Sequence, residues 1–157
     1  MKSKVILTTL AALTIGFASA VSYAADTDGK TAGDAFLATN KTKPGVVTTT
    51  SGLEYKVIRQ GTGTDKPSSS DVVKVNYTGK LLDGKEFDSS KGTPVSFPVN
   101  GVIPGFSEAL KLMKTGDVYE VYIPSNLAYG ESGVPNTPIG PNQTLVFTIE
   151  LLEIKKS

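Results

Sequence analysis

The amino-acid sequence predicts an α+β domain in which a twisted antiparallel β-sheet wraps its concave face around one short α-helix. Three observations lead there. Short runs of alternating apolar and polar residues recur along most of the chain, which is the pattern of half-buried strands. Only one stretch has a convincing helical period. The connections between the runs are short enough to join antiparallel neighbours, and one sheet with one helix is the economical way to bury the apolar faces.

The elements read in order as follows. Val46-Val47-Thr48-Thr49-Thr50 is β-branched throughout. Ser51-Gly52 turns the chain, and Leu53, Tyr55 and Val57 alternate. Gly61 to Ser70 is a polar loop; it begins Gly61-Thr62-Gly63, but no third glycine follows at dinucleotide-binding spacing and no helix follows it. Val73, Val75 and Tyr77 alternate with Lys74, Asn76 and Thr78, and Asp83-Gly84 is a hairpin signal before Phe87. Beyond Pro104-Gly105, Phe106, Ala109, Leu110 and Met113 fall on one helical face, with Gly116 placed to end the helix. Tyr119, Val121 and Ile123 form the next strand. A loop with three glycines and three prolines spans 130–142, and the last strand sets Leu145, Phe147, Ile149 and Leu151 on one face.

The first residues follow a different grammar. Lys2 and Lys4 precede an apolar run from Val5 to Phe17, and small residues follow at Ala18-Ser19-Ala20 and Ser22-Tyr23-Ala24. This is the pattern of a cleavable secretory signal peptide over 1–24, cut after Ala24 or after Ala20. The run is shorter than the roughly 20 apolar residues a membrane span needs. The protein is therefore expected to be exported, to the periplasm or beyond the cell, with no membrane attachment after cleavage. Residues 25–45 are rich in Asp, Thr, Gly and Lys. Ala32 to Ala38 could make two helical turns, too few to be stable alone, so 25–45 reads as a flexible arm packed loosely through Phe36 and Leu37. Residues 46–157 are the folded domain.

Composition excludes several function classes. Apolar residues make up 39% and charged residues 20%, a soluble globular balance. Without residues 1–24 the chain keeps 14 basic against 15 acidic residues, a net charge of −1. Such a chain has no electrostatic footprint for nucleic acid and no basic patch for an anionic membrane. There is no cysteine and no histidine. Thiol chemistry, histidine-based triads and the usual zinc ligands are absent with them, and no cofactor or metal is expected.

What remains is a set of aromatics drawn from separate segments: Tyr77, Phe87, Phe97, Phe106, Tyr129 and Phe147. Each could be plain core. Together, on a sheet that covers a single helix and leaves one side open, they could line a shallow apolar pocket. Asp88, directly after Phe87, reads on its own as a solvated loop carboxylate capping the Ser89-Ser90 amides.

The motifs resolve this. V-N-Y-T-G at 75–79, D-G-K-E-F-D-S-S at 83–90, V-I-P-G-F at 102–106, L-A-Y-G at 127–130 and T-L-V-F-T-I-E-L-L at 144–152 stand in one order. Over about residues 46–155 the chain resembles the FKBP family of peptidyl-prolyl cis–trans isomerases. With T-T-S-G-L-E-Y-K-V at 49–57, it looks most like exported bacterial members of the macrophage infectivity potentiator type. The resemblance implies the FKBP fold, isomerisation of X-Pro bonds in unfolded or partly folded polypeptides, and sensitivity to tacrolimus-like macrolides. It also implies a pocket made from Tyr77, Asp88, Tyr129 and Phe147 as acting residues, with Phe87, Phe97, Val102, Ile103, Phe106 and Ile139 holding the substrate.

The chain departs from the family pattern in places. Phe106 stands where many members have tryptophan, and Val95 where many have a second wall aromatic, so the resemblance implies weakened macrolide binding. The family type also has a long dimerising helical region, of which only Ala32 to Asn40 has a counterpart here, so a monomer is expected. Two other functions remain compatible with the residues: a module that holds proline-containing segments without turnover, and a structural β-domain with no pocket.

Overall fold

The structure is a computed structural model that describes residues 29–157; residues 1–24, read from the sequence as a signal peptide, lie outside the described residues. After helix α1 (Lys30–Asn40) come strands β1 (Val46–Thr48), β2 (Glu54–Arg59), β3 (Val72–Leu81), β4 (Glu86–Ser89) and β5 (Val95–Pro98). Helix α2 (Pro104–Leu112) and strands β6 (Val118–Ile123) and β7 (Leu145–Lys155) complete the fold. The seven strands form one sheet in the order β1-β2-β6-β7-β3-β4, with β5 also paired to β3. Every pairing is antiparallel. The α+β architecture expected from the sequence is the one observed.

The period-2 pattern dictates how the sheet faces its helix. The pairs Val75–Leu151, Tyr77–Ile149, Gly79–Phe147 and Leu81–Leu145 align on one face of β3 and β7, and Val121 and Ile123 of β6 join that face opposite Phe147 and Leu145. Phe106, Ala109 and Leu110 of α2, with Met113 just beyond it, are buried against this face. Pro104 opens α2, where its missing N–H has no partner to lose. Gly105 lets the first turn press onto β6: a Cβ there would lie 2.4 Å from Ile123 Cγ2.

The helix ends at Leu112, before Gly116. The reason is Asp117, a buried carboxylate that accepts the Lys114 N–H at 2.9 Å and the Gly61 N–H at 2.6 Å. It draws the chain out of the helix early, and Gly116, at φ 93°, turns it into β6.

The larger difference lies in the segment read as a flexible arm. Residues 30–40 form an eleven-residue helix seated on the outer face of the sheet, opposite α2. Phe36 packs on Tyr122 with ring centroids 5.8 Å apart. The buried Asn40 donates from Nδ2 to Glu54 Oε1 at 2.9 Å. The Gly29 N–H donates to the Pro141 carbonyl at 2.9 Å. A helix too short to persist alone is stabilised here by tertiary contacts. Among the described residues no helix is long and apolar enough to cross a membrane.

Candidate active site

On the inner face, where α2 leaves one end of the sheet uncovered, Tyr77, Asp88, Phe97, Gly101, Val102, Ile103, Phe106, Tyr129 and Phe147 line a cavity of about 470 Å³. Its walls are aromatic. Phe106, on the first turn of α2, meets Phe147 of β7 edge-to-face at 5.1 Å, Tyr77 of β3 at 5.9 Å and Phe97 of β5 at 6.2 Å. Tyr77 meets Phe97 at 5.7 Å. These separations and tilts suit the ring quadrupoles and hold the rings apart as well as together. The rings come from four elements, so the sheet and helix must both be in place before the cavity exists.

The polar groups gather at its rim. The Tyr77 hydroxyl donates to Asp88 Oδ2 at 2.8 Å, and Asp88 Oδ1 accepts the Ser89 N–H at 2.9 Å. Burial, then the hydrogen bond to Asp88 and its charge, push the Tyr77 phenol up to about 12. Burial, and next the Asp88 charge, also raise Tyr129. Both phenols therefore keep their protons and remain donors at neutral pH. Among the described residues the Ile103 N–H and the Tyr129 hydroxyl have no hydrogen-bond partner. No group of three or more Asp or Glu among these residues is placed to hold a metal ion.

The residues expected at the site divide into two sets. Tyr77, Asp88, Phe97, Val102, Ile103, Phe106, Tyr129 and Phe147 share the cavity wall. Phe87 and Ile139 do not line it. Phe87 backs Phe147 edge-to-face at 5.5 Å, and Ile139 is buried in the core. Room for the Phe87–Phe147 stack comes from Gly79, where a Cβ would sit 2.7 Å from both rings; the final glycine of V-N-Y-T-G is thus a packing requirement of the wall. Val95 is half-buried on β5, away from the cavity lining. Sequence reasoning missed Gly101, which lines the cavity from the turn Val99–Gly101. Its place one residue before V-I-P-G-F was the available signal.

Residues 63–152 match the family model for FKBP-type peptidyl-prolyl cis-trans isomerase. The chain belongs to this family. Residues 7–57 of this FKBP-type chain match the model for the domain amino-terminal to such isomerases. The chain is 53% identical over 132 residues to outer membrane protein MIP of Legionella longbeachae, covering 83% of this chain and 56% of that one. It is 54% identical over 121 residues to the FKBP-type 22 kDa peptidyl-prolyl cis-trans isomerase of Escherichia coli K12, covering 76% and 58%. The chain thus spans about half the length of the curated relatives it matches. Among solved structures, a peptidyl-prolyl cis-trans isomerase from Pseudomonas syringae superposes with a TM-score of 0.77 at 37% identity, over 90% of this chain and 100% of that one. FkpA from Escherichia coli gives a TM-score of 0.77 at 46% identity, over 87% and 62%.

Proposed function

We propose that this chain is a peptidyl-prolyl cis–trans isomerase that accelerates folding of exported polypeptides by twisting X-Pro amides in the aromatic cavity. The observation that carries the reading is the pairing of that apolar cavity with two unpartnered donors at its wall, the Ile103 N–H and the Tyr129 hydroxyl. The X-Pro amide is planar by resonance, and rotation crosses a barrier of about 18–20 kcal/mol. Water stabilises the charge-separated planar form. A proline ring seated among Phe97, Phe106, Phe147 and Tyr77 leaves that stabilisation behind, which favours the twisted amide over the planar one.

The two donors are available for the substrate carbonyls, the fixed-dipole form of catalysis. Asp88 keeps the Tyr77 hydroxyl occupied and places negative charge near the rotating bond. No bond breaks and no net proton moves, so the reaction asks nothing of histidine, cysteine or metal. The named relatives, the isomerase of E. coli and MIP of Legionella, support the reading. The leader-like 1–24 segment supports export, and the retained cavity residues support tacrolimus binding weakened by the smaller Phe106.

The test is refolding of a protein whose slow phase is limited by prolyl isomerisation, a step of roughly tens to hundreds of seconds. The slow phase is expected to shorten in proportion to added protein, and tacrolimus is expected to reverse this at high concentration. A folded preparation that delays aggregation but leaves the slow phase unchanged points instead to a holding module and rejects the isomerase.

A further inference from the structure

Tyr77 occupies a gap in the sheet. Along one edge of β3, β4 pairs with Thr78, Gly79 and Lys80, and β5 pairs with Val72 to Val75. No strand reaches the backbone of Tyr77 between them. Ser90, the first residue beyond β4, fills the gap. Its N–H donates to the Tyr77 carbonyl at 2.9 Å, and its Oγ accepts the Tyr77 N–H at 3.1 Å. One residue thus satisfies both backbone groups of the tyrosine that carries the rim hydroxyl.

Ser90 is itself held from the outer face of the sheet. Its Oγ donates to Asn76 Oδ1 at 3.2 Å, Asn76 Nδ2 donates to Glu150 Oε1 at 3.3 Å, and Arg59 Nη2 donates to Glu150 Oε2 at 2.7 Å. Arg59 and then Asn76 hold the Glu150 carboxyl below its ordinary range, so it remains an acceptor. The Arg59 and Glu150 side chains are 59% and 29% exposed. An ion pair that open to water adds little stability, so its effect is directional: it fixes which way the Glu150 carboxylate, and through it Asn76, can turn.

We propose that the chain Arg59–Glu150–Asn76–Ser90 is a positioning element for catalysis, which sets the Tyr77 backbone and so keeps the Tyr77 hydroxyl on Asp88 at the cavity rim. The proposal rests on the isomerase reading for its effect on rate, but its effect on Tyr77 does not depend on turnover. Ser90 is the critical link because only a short side chain with a hydroxyl both accepts from the Tyr77 N–H and donates to Asn76. Threonine is the conservative replacement that keeps both bonds.

The experiment compares wild type, Ser90→Ala, Ser90→Thr, Asn76→Ala and Arg59→Met, with Lys74→Ala as a control. Lys74 pairs with Glu153 at 3.4 Å and makes no contact with Ser90. Two readouts are taken: kcat and KM on a Leu-Pro peptide, and the Tyr77 ring ¹³Cζ resonance, which reports the hydroxyl's hydrogen bond. Ser90→Ala is expected to lower kcat about fivefold to tenfold with KM nearly unchanged, a cost within the range for misplacing a catalytic group, and to shift the Tyr77 resonance. Asn76→Ala and Arg59→Met are expected to produce the same changes in decreasing size, and Ser90→Thr to restore both signals. A folded Ser90→Ala protein with wild-type kcat and Tyr77 resonance overturns the proposal. If Ser90→Ala does not fold, an unshifted Tyr77 resonance in Asn76→Ala does the same. Absence of turnover in wild type refutes the isomerase and leaves the resonance to decide the positioning.

Discussion

The two faces of the sheet are held by opposite kinds of chemistry. The inner face meets α2 through apolar side chains and aromatic edges, and its cavity depends on rings from β3, β5, α2 and β7 standing at fixed tilts. The outer face meets α1 through one aromatic pair, a glycine contact and a buried Asn40–Glu54 hydrogen bond. The inner contact is extensive and built by hydrophobic burial; the outer one is small and combines a single ring contact with polar groups. Damage to the inner face should therefore remove stability and activity together, whereas damage to the outer contact should release α1 and leave the cavity intact.

Phe147→Ala is the most severe way to sharpen that contrast. The ring is 4% exposed and touches Phe106, Phe87 and Tyr77. Losing it is expected to cost about 3–5 kcal/mol, seen in urea unfolding, and to reduce kcat/KM at least tenfold in protein that remains folded. Tyr129→Phe removes only a hydroxyl from a ring that is 40% exposed. It should leave the urea midpoint unchanged while lowering kcat several-fold; an unchanged rate would remove that hydroxyl from the mechanism. Asp88→Ala is expected to give a partial loss, about threefold, because the apolar cavity remains when the rim charge is gone, in line with the modest worth of a single hydrogen bond. Full activity in that variant would reduce Asp88 to a turn residue.

Gly33→Ala attacks the other face. A Cβ at Gly33 would lie 2.3 Å from Thr144 Oγ1 and 3.2 Å from its Cβ, so the buried Thr144 side chain or α1 must shift, which loosens the contact. Hydrogen exchange is expected to accelerate across Lys30–Asn40, with the peptide isomerisation rate within about twofold of wild type, since local opening can be confined to weakly held segments. A collapse of activity would show that the two faces are coupled.

The smallest effect concerns Glu54, buried beneath α1. Burial raises its carboxyl, and the Asn40 hydrogen bond and the nearby Lys41 only partly offset this. The folded state thus holds the proton more tightly than the unfolded chain. Its contribution is fully present below the unfolded value and is lost as pH rises through the raised folded one. Glu54→Gln, which can still accept from Asn40, should flatten this dependence and change stability near neutral pH by no more than about 1 kcal/mol, read as melting temperature against pH.

The same contrast explains what could be read in advance. Strand alternation in 73–77 and 145–151, and the apolar face of α2, are periodic signals, so the sheet, the helix and most of the cavity wall were legible. The distinction between Phe87 and Phe147 was not, because both obey the same alternation and only the three-dimensional stack shows which ring faces the cavity. For α1, the helical turns over 32–38 and the packing of Phe36 were legible, but its full length and its polar contacts were not. Two of its contact residues, Gly33 and Asn40, are a glycine and an amide, residue types that ordinarily argue for a loop, and their partners Thr144 and Glu54 are polar and distant in sequence. Ser90 escaped for a related reason: a hydroxyl that completes a sheet edge has no periodicity.

The most direct test of the central claim is exchange NMR on a short peptide with a Leu-Pro bond, with catalytic amounts of the purified chain added. A cis–trans exchange rate that rises in proportion to protein concentration, and far less with Phe147→Ala, is the predicted result. An exchange rate unchanged by folded wild-type protein would contradict it.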